Sequence, residues 1–163
     1  MASDIYWIET STTLRLAIMA RPRSGDWLDD EIDNWKREGV GLVVSLLEQD
    51  EIQDLGLETE ASLCESRAIE FVSYPIPDQG VPRNSVTAVQ LARQIISSGK
   101  PTAIHCRAGI GRSALVAALV LRLEGLEGDT ALNLISKARG TSVPDTATQR
   151  DWIDAVPLIT PAF

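Results

Sequence analysis

The sequence predicts an α/β fold, with a mostly parallel central sheet of about four or five strands flanked by helices. Short β-type apolar runs alternate along the chain with longer amphipathic stretches. The run at 40–47 is apolar without interruption, as a strand covered on both faces requires. Residues 102–123 read as strand, glycine-bearing loop and almost wholly apolar helix. In such a fold, ligands collect outside the carboxyl ends of the strands.

Taken in order, residues 6–20 form two short strands broken by the polar run Thr10 to Thr13, so a hairpin opens the chain. Arg21-Pro22-Arg23-Ser24-Gly25 is punctuation before a helix over 27–38, which Asp26 can cap and Gly39 ends. Leu28, Ile32 and Trp35 share one face of that helix. The 40–47 strand follows. Residues 51–68 have a helical pattern broken at Gly56, and Glu48-Gln49-Asp50-Glu51 reads as its solvated acidic start. A strand over 70–76 enters a proline-rich turn, and 85–98 is an amphipathic helix with Val86, Val89, Ile95 and Ile96 inward, closed by Gly99 and Pro101. Strand 102–105, loop 106–111 and helix 112–123 come next. Two further helices, 129–138 and 147–156, are joined by residues 139–144. The four tryptophans, Trp7, Trp27, Trp35 and Trp152, have apolar neighbours and are expected in the core. A balance of 44% hydrophobic to 23% charged residues over 163 positions suits one domain spanning 1–163.

Charge and composition narrow the function classes. A net charge of −8 argues against nucleic acid or an anionic membrane as partner, so any anion site must be local. No apolar stretch is long enough to span a bilayer, and two cysteines without a secretory signal do not form a disulfide framework, which points to the cytoplasm. One histidine and two cysteines in no metal-ligand spacing imply chemistry without metal or cofactor.

The loop His105-Cys106-Arg107-Ala108-Gly109-Ile110-Gly111-Arg112-Ser113 lies between a buried strand and a buried helix. Backbone N–H groups from Arg107 to Arg112 can converge at the helix N-terminus and cradle an anion. The same dipoles favour a thiolate on Cys106, making it a nucleophile. Arg112, on the first helical turn, can grip two phosphate oxygens with its planar fork, as a lysine could not. Gly109 and Gly111 admit backbone geometry that side chains would obstruct, and Ser113 can donate to the sulfur when it leaves.

This pattern, His-Cys-x-x-Gly-x-x-Arg-Ser, resembles the signature loop of the protein tyrosine and dual-specificity phosphatases, and HCRAGIGRS carries every fixed position. The resemblance implies that Cys106 attacks phosphorus, that residues Arg107 to Arg112 bind the phosphate, and that His105 orients the loop. Upstream, Pro75-Ile76-Pro77-Asp78-Gln79-Gly80-Val81-Pro82 resembles the acid loop of the larger tyrosine phosphatases, with Ile76 where those have tryptophan. It implies that Asp78 protonates the leaving oxygen. Val143-Pro144-Asp145-Thr146-Ala147-Thr148-Gln149 resembles the late loop whose glutamines position the hydrolytic water. Gln149 matches the second glutamine and Asp145 stands at the first; either Asp145 or Thr146 can equally cap the last helix.

The resemblance covers residues 40–155 and leaves the first 39 without a motif. With no phosphotyrosine-recognition loop, the chain is nearest the small dual-specificity type. That implies a phosphorylated protein or small phosphomonoester as substrate: phosphotyrosine, with phosphoserine and phosphothreonine admitted by a shallow pocket. Alternatives are a phosphoinositide or other small-molecule phosphatase, for which Arg107 supplies one basic loop residue but Ile110 replaces the second, and a non-catalytic phosphate-binding module. Cys64 reads as small core filler, against a reversible disulfide with Cys106.

Overall fold

A computed structural model describes residues 3–158. Five strands form one sheet: β1 (Tyr6–Trp7), β2 (Leu16–Met19), β3 (Leu42–Ser45), β4 (Glu70–Ser73) and β5 (Thr102–His105), in the order β1-β2-β5-β3-β4. All pairs are parallel except β1 against β2, which makes the expected opening hairpin. Every residue of β2, β3 and β5 is buried, because helices cover both faces. The register aligns Met19, His105 and Ser45, so the last residue of β5 stands level with the ends of its two neighbours. The loop after His105 therefore opens at the carboxyl edge of the sheet.

The helices are α1 (Leu28–Arg37), α2 (Gln49–Asp54), α3 (Glu60–Glu65), α4 (Ser85–Ser98), α5 (Arg112–Leu123), α6 (Gly128–Arg139) and α7 (Ala147–Ala155). On one face of the sheet Ile18, Val44 and Ile104 pack with α4, α5, α6 and α7. On the other, Ala17, Val43 and Ala103 pack with α1 and α3. Helix α5 is buried continuously from Arg112 to Leu121, between the sheet and its neighbouring helices, which is why its sequence is apolar on every side. Asn84 accepts a hydrogen bond from Thr87 N to cap α4, and Gly99, at φ +63°, ends it.

Three expectations are corrected. Asp26 does not cap α1: it lies in a 3₁₀ turn, Gly25–Trp27, entered through Gly25 at φ +65°, and α1 begins at Leu28 without a side-chain cap. Trp27 on that turn is 54% exposed, with Arg23 stacked on its ring at 4.7 Å, whereas Trp35 is buried as expected. The acidic start of α2 is not wholly solvated, since Glu51 turns inward to an arginine partner.

Candidate active site

Cys106 is buried at the start of the loop, directly after β5. Its sulfur accepts the N–H of Gly109 at 3.3 Å and lies 3.4 Å from Ser113 Oγ. Gly109 has φ +74°, and a Cβ there would come within 2.7–2.8 Å of the backbone of Met19 and Ala20. Only glycine satisfies both constraints. The loop's carbonyls find donors on its other side: Arg107 O from Arg21 N at 3.2 Å, Ala108 O from Arg139 Nη2 at 3.3 Å, and Gly109 O from Arg139 Nε at 3.1 Å.

Arg112 is buried and gripped in bidentate fashion by Glu51, with Nη1–Oε1 2.6 Å and Nη2–Oε2 2.9 Å. Nη1 also donates to Ile76 O at 3.0 Å, and Nη2 to Asp78 Oδ1 at 3.1 Å. Arg107 Nε reaches Glu51 as well, at 3.3 Å. Burial by itself pushes the Glu51 carboxyl up; hydrogen bonds from Arg112 and Glu48 N–H, with the charges of Arg112 and Arg107, outweigh it and hold Glu51 below its ordinary value. Burial likewise opposes the charge on Arg112, and Glu51, Cys106 and Asp78 together raise its pKa instead.

Asp78 is about half-exposed and faces Arg112 from the acid loop. Ile76, two residues earlier, is fully buried and anchors this loop in the core. The far side of the loop is tied down by Gln149, whose Nε2 donates to Gly80 O at 2.9 Å. Gln149 Oε1 accepts the N–H groups of Asp145 and Thr146, both at 3.2 Å, and Thr146 Oγ1 accepts Gln149 N at 3.1 Å. Thr146 is therefore the cap of α7, in a reciprocal capping box. Both ends of the buried Gln149 amide are engaged with backbone.

A pocket of about 150 Å³ is bordered by Cys106, Arg107, Ala108, Gly111, Arg112, Asp78, Asp145 and Gln149. Of the other expected site residues, Ser113 and the Gly109 N–H touch the sulfur, Ile110 packs against the core, and His105 lies against the Cys106 carbonyl. A larger cavity of about 340 Å³ beside Trp7 and Leu134 borders none of these groups. The smaller one is where the expected site residues come together.

Two site carboxylates escape motif reading. Glu51 is one; Glu60 is the other, its Oε2 lying 2.6 Å from His105 Nε2 with both side chains buried. His105 Nδ1 lies 3.3 Å from the Cys106 carbonyl, which can only accept. The signal that points to both is physical: a buried arginine and a buried histidine each need a partner. Cys64 lies in the core on the face of the sheet opposite to that holding Cys106. Burial first, and the Glu60 charge second, push its thiol up to about 12. Among the described residues no group of three or more metal-ligating side chains is placed to hold a metal ion.

Residues 17–125 match the family described as Tc-R-P, polymorphic toxin system, DSP-PTPase phosphatase. Tyrosine phosphatase 067L of Invertebrate iridescent virus 3, so named as a provisional assignment, is 26% identical over 132 residues, covering 76% of this chain and 52% of that protein. Cyclin-dependent kinase inhibitor 3 of Mus musculus is 23% identical over 129 residues, covering 77% of this chain and 61% of its own length. The chain thus spans between half and two thirds of these relatives. Among solved structures, a kinase-associated phosphatase with its catalytic-site cysteine replaced by serine superposes with a TM-score of 0.85 at 20% identity, over 94% of this chain and 93% of that one. The active form of Tk-PTP gives a TM-score of 0.75 at 27% identity, over 96% and 97%. The match to the family over most of the sheet and the whole cysteine loop, on a fold shared with solved phosphatases, makes the chain a member of the DSP-PTPase phosphatases of polymorphic toxin systems.

Proposed function

We propose that this chain hydrolyses phosphomonoesters, phosphotyrosine foremost, through a cysteinyl-phosphate intermediate. The observation that carries the proposal is the pocket itself: a sulfur held by Gly109 N–H and Ser113 borders the same small space as the Arg112 guanidinium and the Asp78 carboxyl. In the first step Cys106 Sγ attacks phosphorus, the bond to the ester oxygen breaks, and Asp78 delivers a proton to that oxygen. Arg112, fixed by Glu51, and the loop N–H groups hold the phosphoryl oxygens as charge spreads over them. In the second step water attacks phosphorus, its proton passes to Asp78, and the sulfur leaves with the Ser113 hydroxyl as hydrogen-bond donor. One N–H of the Gln149 amide is committed to Gly80 O, which leaves its second N–H and the Asp145 carboxylate, both on the pocket wall, to hold that water.

A neighbour of this fold, TpbA of P. aeruginosa, has been solved with pTyr, at a TM-score of 0.62 and 17% identity. Phosphorylated proteins and small phosphomonoesters are the proposed substrates; two free thiols suit the cytoplasm. Residues 1–163 are read as one domain, since both apolar layers share one sheet. The test is phosphate release from p-nitrophenyl phosphate in EDTA, then from phosphotyrosine, phosphothreonine and phosphoinositide substrates. Turnover by the wild type, none by Cys106→Ser and at least about tenfold slowing in Asp78→Ala are expected. A wild type that binds vanadate yet turns over none of these substrates would make the loop a binding site only.

A further inference from the structure

A loop that turns its amide N–H groups toward an anion turns its carbonyl oxygens away, and those oxygens need donors of their own. Here the donors for two adjacent carbonyls come from one side chain outside the signature sequence. Arg139 Nη2 donates to Ala108 O at 3.3 Å and Arg139 Nε to Gly109 O at 3.1 Å. Arg139 is the last residue of α6, and Gly140, at φ +82°, turns the chain away behind it. Its guanidinium lies over the Tyr6 ring, 4.4 Å from the centroid. Tyr6 belongs to β1, within the first 39 residues, where no sequence motif points to a role.

One of these contacts leads directly to the nucleophile. The Ala108 carbonyl shares a peptide unit with the Gly109 N–H, and that N–H is the donor to Cys106 Sγ at 3.3 Å. A cation on the carbonyl end polarises the unit and strengthens its N–H as a donor. We propose that Arg139, braced by Tyr6, is a positioning residue that clamps the phosphate loop from behind, holding its amides toward the anion and toward the Cys106 sulfur. A planar fork is required to span two successive carbonyls; a lysine ammonium can meet one at a time. The face of the ring is what Tyr6 contributes, so the hydroxyl is dispensable.

The effect on turnover rests on the proposed function, but the clamp itself can be read without it. Amide hydrogen exchange of residues 108–111 reports loop order, vanadate titration reports anion binding, and p-nitrophenyl phosphate kinetics report turnover. In Arg139→Ala, exchange in 108–111 speeds up about tenfold while β5 and α5 keep their protection, and vanadate affinity and kcat/KM fall by a similar factor. Arg139→Lys is intermediate. Tyr6→Phe matches the wild type, Tyr6→Ala moves in the direction of Arg139→Ala, and the double variant is no worse than Arg139→Ala alone. Unchanged loop exchange and vanadate affinity in Arg139→Ala would overturn the clamp, as would fully additive effects of the two alanine variants. Should Arg139→Ala fail to fold, Arg139→Lys and Tyr6→Ala decide by the same readouts. Faster loop exchange in a protein whose wild type neither binds vanadate nor turns over would leave the clamp standing and remove the proposed function.

Discussion

Arg112 sits between two carboxylates that do different work. Glu51 is buried and holds two guanidinium nitrogens, while Asp78 is half-exposed and touches one. Replacing Glu51 by glutamine leaves a buried cation without its counter-charge, a loss of roughly 3 kcal/mol that urea denaturation would measure. The sign of its pH dependence follows from the lowered carboxyl. The folded state favours the ionised form, so the stabilisation is complete above the unfolded value of 4.5 and disappears as pH falls through the folded one. Wild-type stability should therefore drop on acidification below that value, and Glu51→Gln should drop less. Some slope remains, because Glu31, pushed up by burial but held lower overall by Ser3 and Arg23, titrates in the same direction. At Gly109 the loop has no slack: Gly109→Ala forces a Cβ against the Met19–Ala20 backbone at positive φ, and vanadate binding should fall at least about tenfold. Cys106 and Arg112 were marked in the chain by the spacing of the cysteine loop, and Asp78 by the resemblance of its Pro-Asp stretch to an acid loop; the fold brings all three to one pocket. Glu51 was not so marked, since a glutamate in an acidic helix start reads the same whether water or an arginine lies opposite, and only the packing of α2 beside the loop decides.

The elements that sequence places best are those whose pattern is set by burial on every side. β5 and α5 fall at 102–105 and 112–123 as expected, because an apolar strand and an apolar helix on either side of a glycine loop leave no alternative phase. α1 starts within one residue of its expected position, but the cap differs, because an Asp before a helical run looks like a cap, and the left-handed turn at Gly25 that removes it from that position leaves no mark on the periodicity. The late loop was half legible: Thr146 caps α7, but the reach of Gln149 across to Gly80 is tertiary. That reach makes α7 part of the acid loop's support. Gln149→Ala should cost about 1 kcal/mol from the lost half of the capping box. It should also slow turnover of substrates with poor leaving groups more than of p-nitrophenyl phosphate, since poor leaving groups depend most on a well-placed Asp78. Comparing kcat on phenyl and p-nitrophenyl phosphates checks this.

At the scale of the molecule, a net charge of −8 surrounds a pocket whose own charges include Arg107 and Arg112. The distant acidic surface and the guanidinium groups on the pocket wall act over different ranges, and salt screens the first more than the second. Turnover of a polyanionic phosphopeptide should therefore rise relative to that of p-nitrophenyl phosphate as ionic strength increases from low values. The same sheet that organises both apolar layers also keeps the two thiols apart. Cys106 borders the pocket, while Cys64 is sealed on the opposite face with its proton held up to about 12. Iodoacetamide at neutral pH should accordingly add one carbamidomethyl group per native chain and a second only after denaturation, as intact-mass spectra would show. The two thiols thereby report on folding in any preparation: chains that take a single label under native conditions have Cys64 sealed and the Cys106 pocket open, whereas chains that take two are unfolded.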